Sequence, residues 1–189
     1  MSAPNYVHLT TLRADGSPRN WVVWVGLEGD HMLVCTGDGA LKADAQALCG
    51  HLPNVRFLDF QPMERLGDLL GLADVHLLPQ RADAAEMVMP SKLTGMLASG
   101  RPVVGMADAG TELAEVVQSC GVVVQHGDVP AFTQAIRYLA ELPQLRAELG
   151  RVARAYADQN LAASAVLGRL EADIQALGDD TPPPHEAAP

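Results

Sequence analysis

The sequence predicts an α/β protein, a Rossmann-like parallel sheet with flanking helices, preceded by a short antiparallel β segment. Three observations predict it. From His31 onward, short aliphatic runs alternate with helical segments, the pattern of βα units. Prolines and glycines fall where such units begin and end their helices: Pro62 and Pro130 suit a first helical turn, and Gly100, Gly105 and Gly127 mark ends. Before Asp30 the pattern instead alternates apolar and polar residues around turns, as hairpin strands do.

Taken in order, Tyr6–Leu12 reads as a strand, Asp15-Gly16-Ser17-Pro18 breaks it, and Trp21–Val25 resumes it. Glu28-Gly29-Asp30 turns the chain again before His31–Cys35, which closes a set of three hairpin strands and also opens the βα series. That series continues as helix 40–50, strand Val55–Leu58, helix 62–73, strand Val75–Leu78, helix Ser91–Ser99, strand Pro102–Gly105, helix 111–119, strand Gly121–Val124 and helix 130–141. Five parallel strands are expected from it. Helices 143–157 and 161–177 have no strand after them and are expected to cover the sheet. Residues 178–189, rich in Pro, Asp and Ala, have too little apolar surface to offset ordering entropy and are expected to be disordered. The expected division is therefore 1–32, 33–177 and 178–189.

The chain has 189 residues, enough for one domain or a domain with an appendage. Its 23 Asp+Glu against 13 Lys+Arg give a formal net charge of −10, without the basic footprint that nucleic acid requires. No apolar stretch approaches the roughly 18 residues of a spanning helix, so a cytoplasmic protein is expected. Cys35, Cys49 and Cys120 show no ligand-like pairing and read as small buried apolar residues. The six histidines lack metal-like spacing, and no serine sits in a nucleophile elbow, which removes metal sites and hydrolases from the expectations.

Ligands of such sheets bind outside the carboxyl ends of the strands, which singles out four loops. Gly37 and Gly39 could let a backbone approach a ligand, or simply turn the chain. Pro79–Pro90 leads into Ser91-Lys92-Leu93-Thr94-Gly95 at a helix start, where unpaired N–H groups and the Lys92 charge suit a diphosphate; the same residues also read as a cap and a surface charge. In Ala107–Glu112, Glu112 either faces the cleft or complements the helix dipole. Asp128 reads as a helix cap and is given no chemistry.

NVRFLDFQPMERLGDLLGLADVHLLPQ, MPSKLTGMLASGRPVVGMADAGTELAEVV and CGVVVQHGD resemble the C-terminal, nucleotide-sugar-binding domain of GT-B glycosyltransferases of family 4, of the colanic-acid or exopolysaccharide type, over residues 33–177. The resemblance implies half of a GT-B fold, with a nucleoside-diphosphate sugar as substrate and neither metal nor cofactor. It places Gly37 and Gly39 at the early glycine turn, Ser91, Lys92, Leu93, Thr94 and Gly95 at the donor phosphates and ribose, and Gly110, Thr111 and Glu112 at the next donor loop. It implies a saccharide or lipid-linked acceptor, retention at the transferred sugar, and a place peripheral to the inner face of the membrane. No catalytic residue follows from it. Two glutamates that many such enzymes place eight residues apart are replaced here by Met87 and Gly95, with Glu86 beside the first.

The opening, YVHLTTLRADGSPRNWVVWVGLEGDHMLVCT, resembles the first strands of pyridoxamine-phosphate-oxidase-like split barrels over residues 6–43. That resemblance implies a flavin or deazaflavin, with Thr36 and Lys42 at a cofactor-phosphate segment. Three functions compete on these readings: a glycosyltransferase half that takes a nucleotide-sugar donor, a flavin-binding oxidoreductase-like fragment, and a noncatalytic interaction module. Self-association, or a second chain completing the cleft, goes with the first and third.

Overall fold

A computed structural model describes residues 6–12, 18–22, 33–36, 41–59, 61–79 and 89–179. Strand β1 (Tyr6–Leu12) pairs antiparallel with β2 (Pro18–Val22), with Leu9 opposite Trp21. Strand β3 (Leu33–Thr36) leads to helix α1 (Leu41–Cys49) and to β4 (Val55–Leu58), which lies parallel to β3 in register Leu33 to Val55. One 3₁₀ turn at Met63–Arg65 precedes α2 (Leu66–Gly71), and β5 (Ala73–Leu78) follows. The expected helix 62–73 is thus shortened. Ala73, Val75 and Leu77 are needed in the sheet, and all are buried there.

The remaining units are α3 (Ser91–Ala98), β6 (Val103–Met106), α4 (Glu112–Cys120), β7 (Gly121–Val124), α5 (Val129–Glu141) and α6 (Pro143–Tyr156). A π turn, Ala157–Leu161, closed by Ala162 N–H on Ala157 O, joins α6 to α7 (Ala163–Asp179).

Strand order corrects one expectation. The five βα strands do not form one sheet: the five-stranded sheet runs β2-β1-β5-β6-β7, and β3 and β4 pair apart from it. Strand β1 runs parallel to β5, His8 beside His76, with a register break between Tyr6 and Val7. Nor is β3 a third hairpin strand, since its hydrogen-bonded partner is β4. Apolar runs specify that a strand is buried on both faces. They do not say which other strand lies beside it.

Alternation along β5 and β6 builds two cores. Leu78 and Val103 pack with Leu93, Met96 and Leu97 of α3, Leu113 and Val117 of α4, and Ala153 of α6. Val75, Leu77, Val104 and Met106 face the other way, onto Phe132, Ala135, Ile136 and Leu139 of α5. With side chains alternating at period two, each strand supplies both layers. Helix α6 covers the sheet as expected. Helix α7 does not, because Val166, Leu167, Leu170, Ile174 and Leu177 are exposed. It is held instead by Arg169, whose guanidinium donates to the Gln159 and Asn160 carbonyls at 3.1 and 2.8 Å.

Candidate donor site at the carboxyl edge of the sheet

Pairs Leu78–Gly105 and Met106–Val124 bring the carboxyl ends of β5, β6 and β7 to one edge, from which α3, α4 and α5 depart. Three helix N-termini, each with a partial positive charge, therefore meet there. They differ in how they are closed. Thr111 caps α4, its Oγ1 accepting from Ala114 N–H at 3.2 Å, and Asp128 caps α5 through Oδ1 on Ala131 N–H at 2.9 Å. No side chain caps α3; its N-cap residue is Pro90, at φ −64° and ψ 120°. Ser91, placed at the cap or just after it by the sequence, is the first helical residue and is exposed.

The five-residue segment divides by helical geometry. Ser91 and Thr94 are exposed, and Lys92 is half-buried, with no solvent-exposed surface left on Nζ. Leu93 is 2% exposed and belongs to the core, so only its backbone is available to a ligand. Gly95 faces α2: a Cβ there would sit 3.1 Å from Leu70 Cδ1. A side chain at this position would need the Leu70 methyl to give by a few tenths of an ångström, so Gly95 lies in close packing between α2 and α3. Gly37, Gly39, Glu86 and Met87 lie outside the described residues.

In the β6–α4 loop, Gly110 has φ +84°, left-handed backbone that a side chain would strain. This bend lets the Asp108 carbonyl accept from both Thr111 N–H, at 3.3 Å, and Thr111 Oγ1, at 2.8 Å. The Thr111 hydroxyl is thereby committed to the turn and the cap. Gly110 and Glu112 are exposed at the same edge.

Two residues that the sequence left without a role meet beside this loop. His126, whose side chain is only 6% exposed, places Nδ1 3.0 Å from Asp108 Oδ1. The contact is off the line of a good hydrogen bond, and among the described residues neither ring nitrogen has an aligned partner. No local signal could have joined residues in loops after two different strands. His76 is different: it is fully buried in β5, and its Nε2 lies 2.8 Å from Ser99 Oγ. Ser99 spends its own hydrogen on Met96 O, so His76 Nε2 is the donor. Burial, and then the charge of Arg101, pull the His76 pKa down to about 3, which keeps the ring neutral.

Lys42 does not present a free phosphate grip. Its Nζ is 3.2 Å from Asp59 Oδ1 and 3.4 Å from Leu58 O, at the end of β4. Among the described residues no group of His, Cys, Asp and Glu could hold a metal ion, and no helix is long and apolar enough to cross a membrane.

The sequence profile of the family described as Glycosyl transferases group 1 matches residues 26–141, more than half of the chain. The chain belongs to this family. Within the family, it is 34% identical over 146 residues to WcaI of Escherichia coli K12, whose name assigns WcaI to colanic acid biosynthesis as a glycosyl transferase. That match covers 76% of the chain and 35% of WcaI, so the chain spans about a third of its relative's length. Sucrose-phosphate synthase of Thermosynechococcus elongatus shares its fold with a TM-score of 0.62 at 20% identity, covering 77% of this chain and 38% of the synthase. Anabaena HepE, crystallised with UDP, superposes with a TM-score of 0.58 at 18% identity, covering 71% of this chain and 36% of HepE. These likenesses show the Rossmann-like GT-B half; the flavin alternative is not favoured.

Proposed function

We propose that this chain binds the nucleoside diphosphate of a sugar donor at the carboxyl edge of its sheet, and so supplies the donor half of a glycosyltransferase. The observation that carries the proposal is the N-terminus of α3, left without a side-chain cap, with Lys92 in its first turn and the Gly110–Glu112 bend alongside. Main-chain N–H groups there and the Lys92 ammonium suit an anion. As the bond between the sugar and its phosphate breaks, its electron pair goes to the diphosphate, and preorganised donors stabilise that charge more than they stabilise the ground state. Family membership and the UDP bound by HepE support this reading. The acceptor, a saccharide or lipid-linked saccharide, would be brought by the part of the relatives' length that this chain does not span.

Calorimetric titration of the purified chain with UDP and GDP, with a flavin control, tests the proposal. One of the two nucleotides is expected to bind and the flavin not to. Lys92→Ala should weaken that binding by about 1.5–3 kcal/mol, the range for a hydrogen bond to a charged group. A folded mutant with unchanged affinity would remove the Lys92 ammonium from the anion contact.

A further inference from the structure

We infer that His126 is a positioning residue for the donor site: through Asp108 it fixes the β6–α4 turn that carries Gly110, Thr111 and Glu112. The inference rests on the donor reading above.

The linkage can be followed atom by atom. His126 lies in a turn held on both sides. Ala107 N–H donates to Val124 O at 2.9 Å, tying the two loops together where they leave β6 and β7. Beyond the histidine, Asp128 N–H donates to Gln125 O at 3.2 Å, Gly127 takes φ +80°, and Asp128 caps α5. The imidazole is thereby anchored to the frame of β7 and α5. Its Nδ1 meets the carboxylate of Asp108, a side chain 51% exposed, and the carbonyl of that same residue carries both bonds from Thr111. Thr111 in turn caps α4.

A rigid anchor is thus joined to an exposed glycine bend by one side-chain contact. Without it, Asp108 would keep its backbone bonds but lose the contact that holds its carboxylate, and Gly110 gives the bend freedom to relax. The burial of the imidazole is also telling. Burying a ring with no aligned hydrogen bond costs free energy, which is hard to account for if His126 only fills space that an apolar residue would fill better.

Three variants of the full chain, His126→Ala, His126→Gln and Asp108→Ala, and the double alanine variant test the inference, with nucleotide affinity measured by calorimetry and amide exchange read over residues 107–115. His126→Ala should weaken UDP or GDP binding about tenfold and speed exchange at Thr111, Ala114 and Glu115, while α6 keeps its protection. Gln, whose amide can still reach the carboxylate, should recover most of the affinity. The double variant should bind no more weakly than the worse single one, since both remove the same contact. Additive losses, or wild-type affinity in His126→Ala, would overturn the inference. So would uniform loss of protection across the chain, which marks a merely structural residue. A wild-type chain that binds neither nucleotide overturns the donor reading itself, and is recognised before any variant is made.

Discussion

The two edges of the β5-β6-β7 sheet are finished in opposite ways. At the amino edge, where the helices end, arginines close the exposed carbonyls: Arg101 donates to Gly71 O at 3.0 Å, Arg154 to Ala98 O at 2.8 Å, and Arg146 to Leu139 O and Ala140 O, both at 2.6 Å. Each guanidinium satisfies orphan acceptors and meets the negative end of a helix dipole. At the carboxyl edge the corresponding groups are closed at α4 and α5 but not by any side chain at α3. On the donor reading proposed above, the difference separates termini closed for stability from the one that keeps the most N–H groups for a ligand, since each cap takes up a donor.

The comparison breaks most visibly at Gly150. Helix α6 passes so close to the turn after α3 that a Cβ on Gly150 would lie 2.2 Å from Gly100 O and 3.0 Å from Gly100 C, both backbone atoms that cannot swing aside. Gly150→Ala is expected to cost about 3 kcal/mol, the upper range for overpacking. If the edges divide labour as described, the folded fraction should still bind nucleotide with wild-type affinity. A thermal melt and a titration together decide it: a loss under about 1 kcal/mol would show that α6 shifts easily.

A second amino-edge test uses pH. His76, Ser99 and Arg101 form one cluster, with His76 N–H on Pro102 O at 2.8 Å and Nε2 on Ser99. The His76 pKa falls from an ordinary 6.5 when unfolded to about 3 when folded, so between these values the unfolded chain holds the extra proton. The stability contributed is complete above pH 6.5 and is lost as pH falls toward 3, with a slope of up to about 1.4 kcal/mol per pH unit. Urea midpoints at pH 6.5, 5.5 and 4.5 should therefore drop more steeply in the wild type than in His76→Gln, which cannot titrate. Parallel curves would mean that His76 is protonated without cost.

Much of the architecture was legible because it is local. Val55–Leu58 and Gly121–Val124 are strands at the limits expected, and Asp128 caps the helix it was expected to cap. Pairing was not legible. That β1 lies beside β5 rests on pairs such as Tyr6 with Ala73 and His8 with His76, 67 and 68 positions apart, which no local pattern reveals. The site was half legible for a related reason. A resemblance names consecutive residues, whereas a helix shows a ligand only one face; the spacing of Leu93, Met96 and Leu97 marks the core face and leaves only the backbone of Leu93 to a ligand. Asp108 and His126 lie 18 positions apart by their numbers, each ordinary in its own loop, and only the fold makes them a pair.

The finest test compares two hydroxyl residues at neighbouring helix starts on the carboxyl edge. Thr111 makes a cap bond and Ser91 makes none. Thr111→Ala should lower stability by about 1 kcal/mol, the usual cost of losing a cap. Ser91→Ala should stay within about 0.5 kcal/mol, as for an exposed residue without such a bond. Nucleotide should reverse the ranking if Ser91 meets the diphosphate: with ligand present, Ser91→Ala loses part of the ligand-induced rise in Tm, because stabilisation by a ligand scales with its affinity for the folded state. Equal ligand-induced shifts in wild type and Ser91→Ala would confine the anion contact at α3 to the backbone and Lys92.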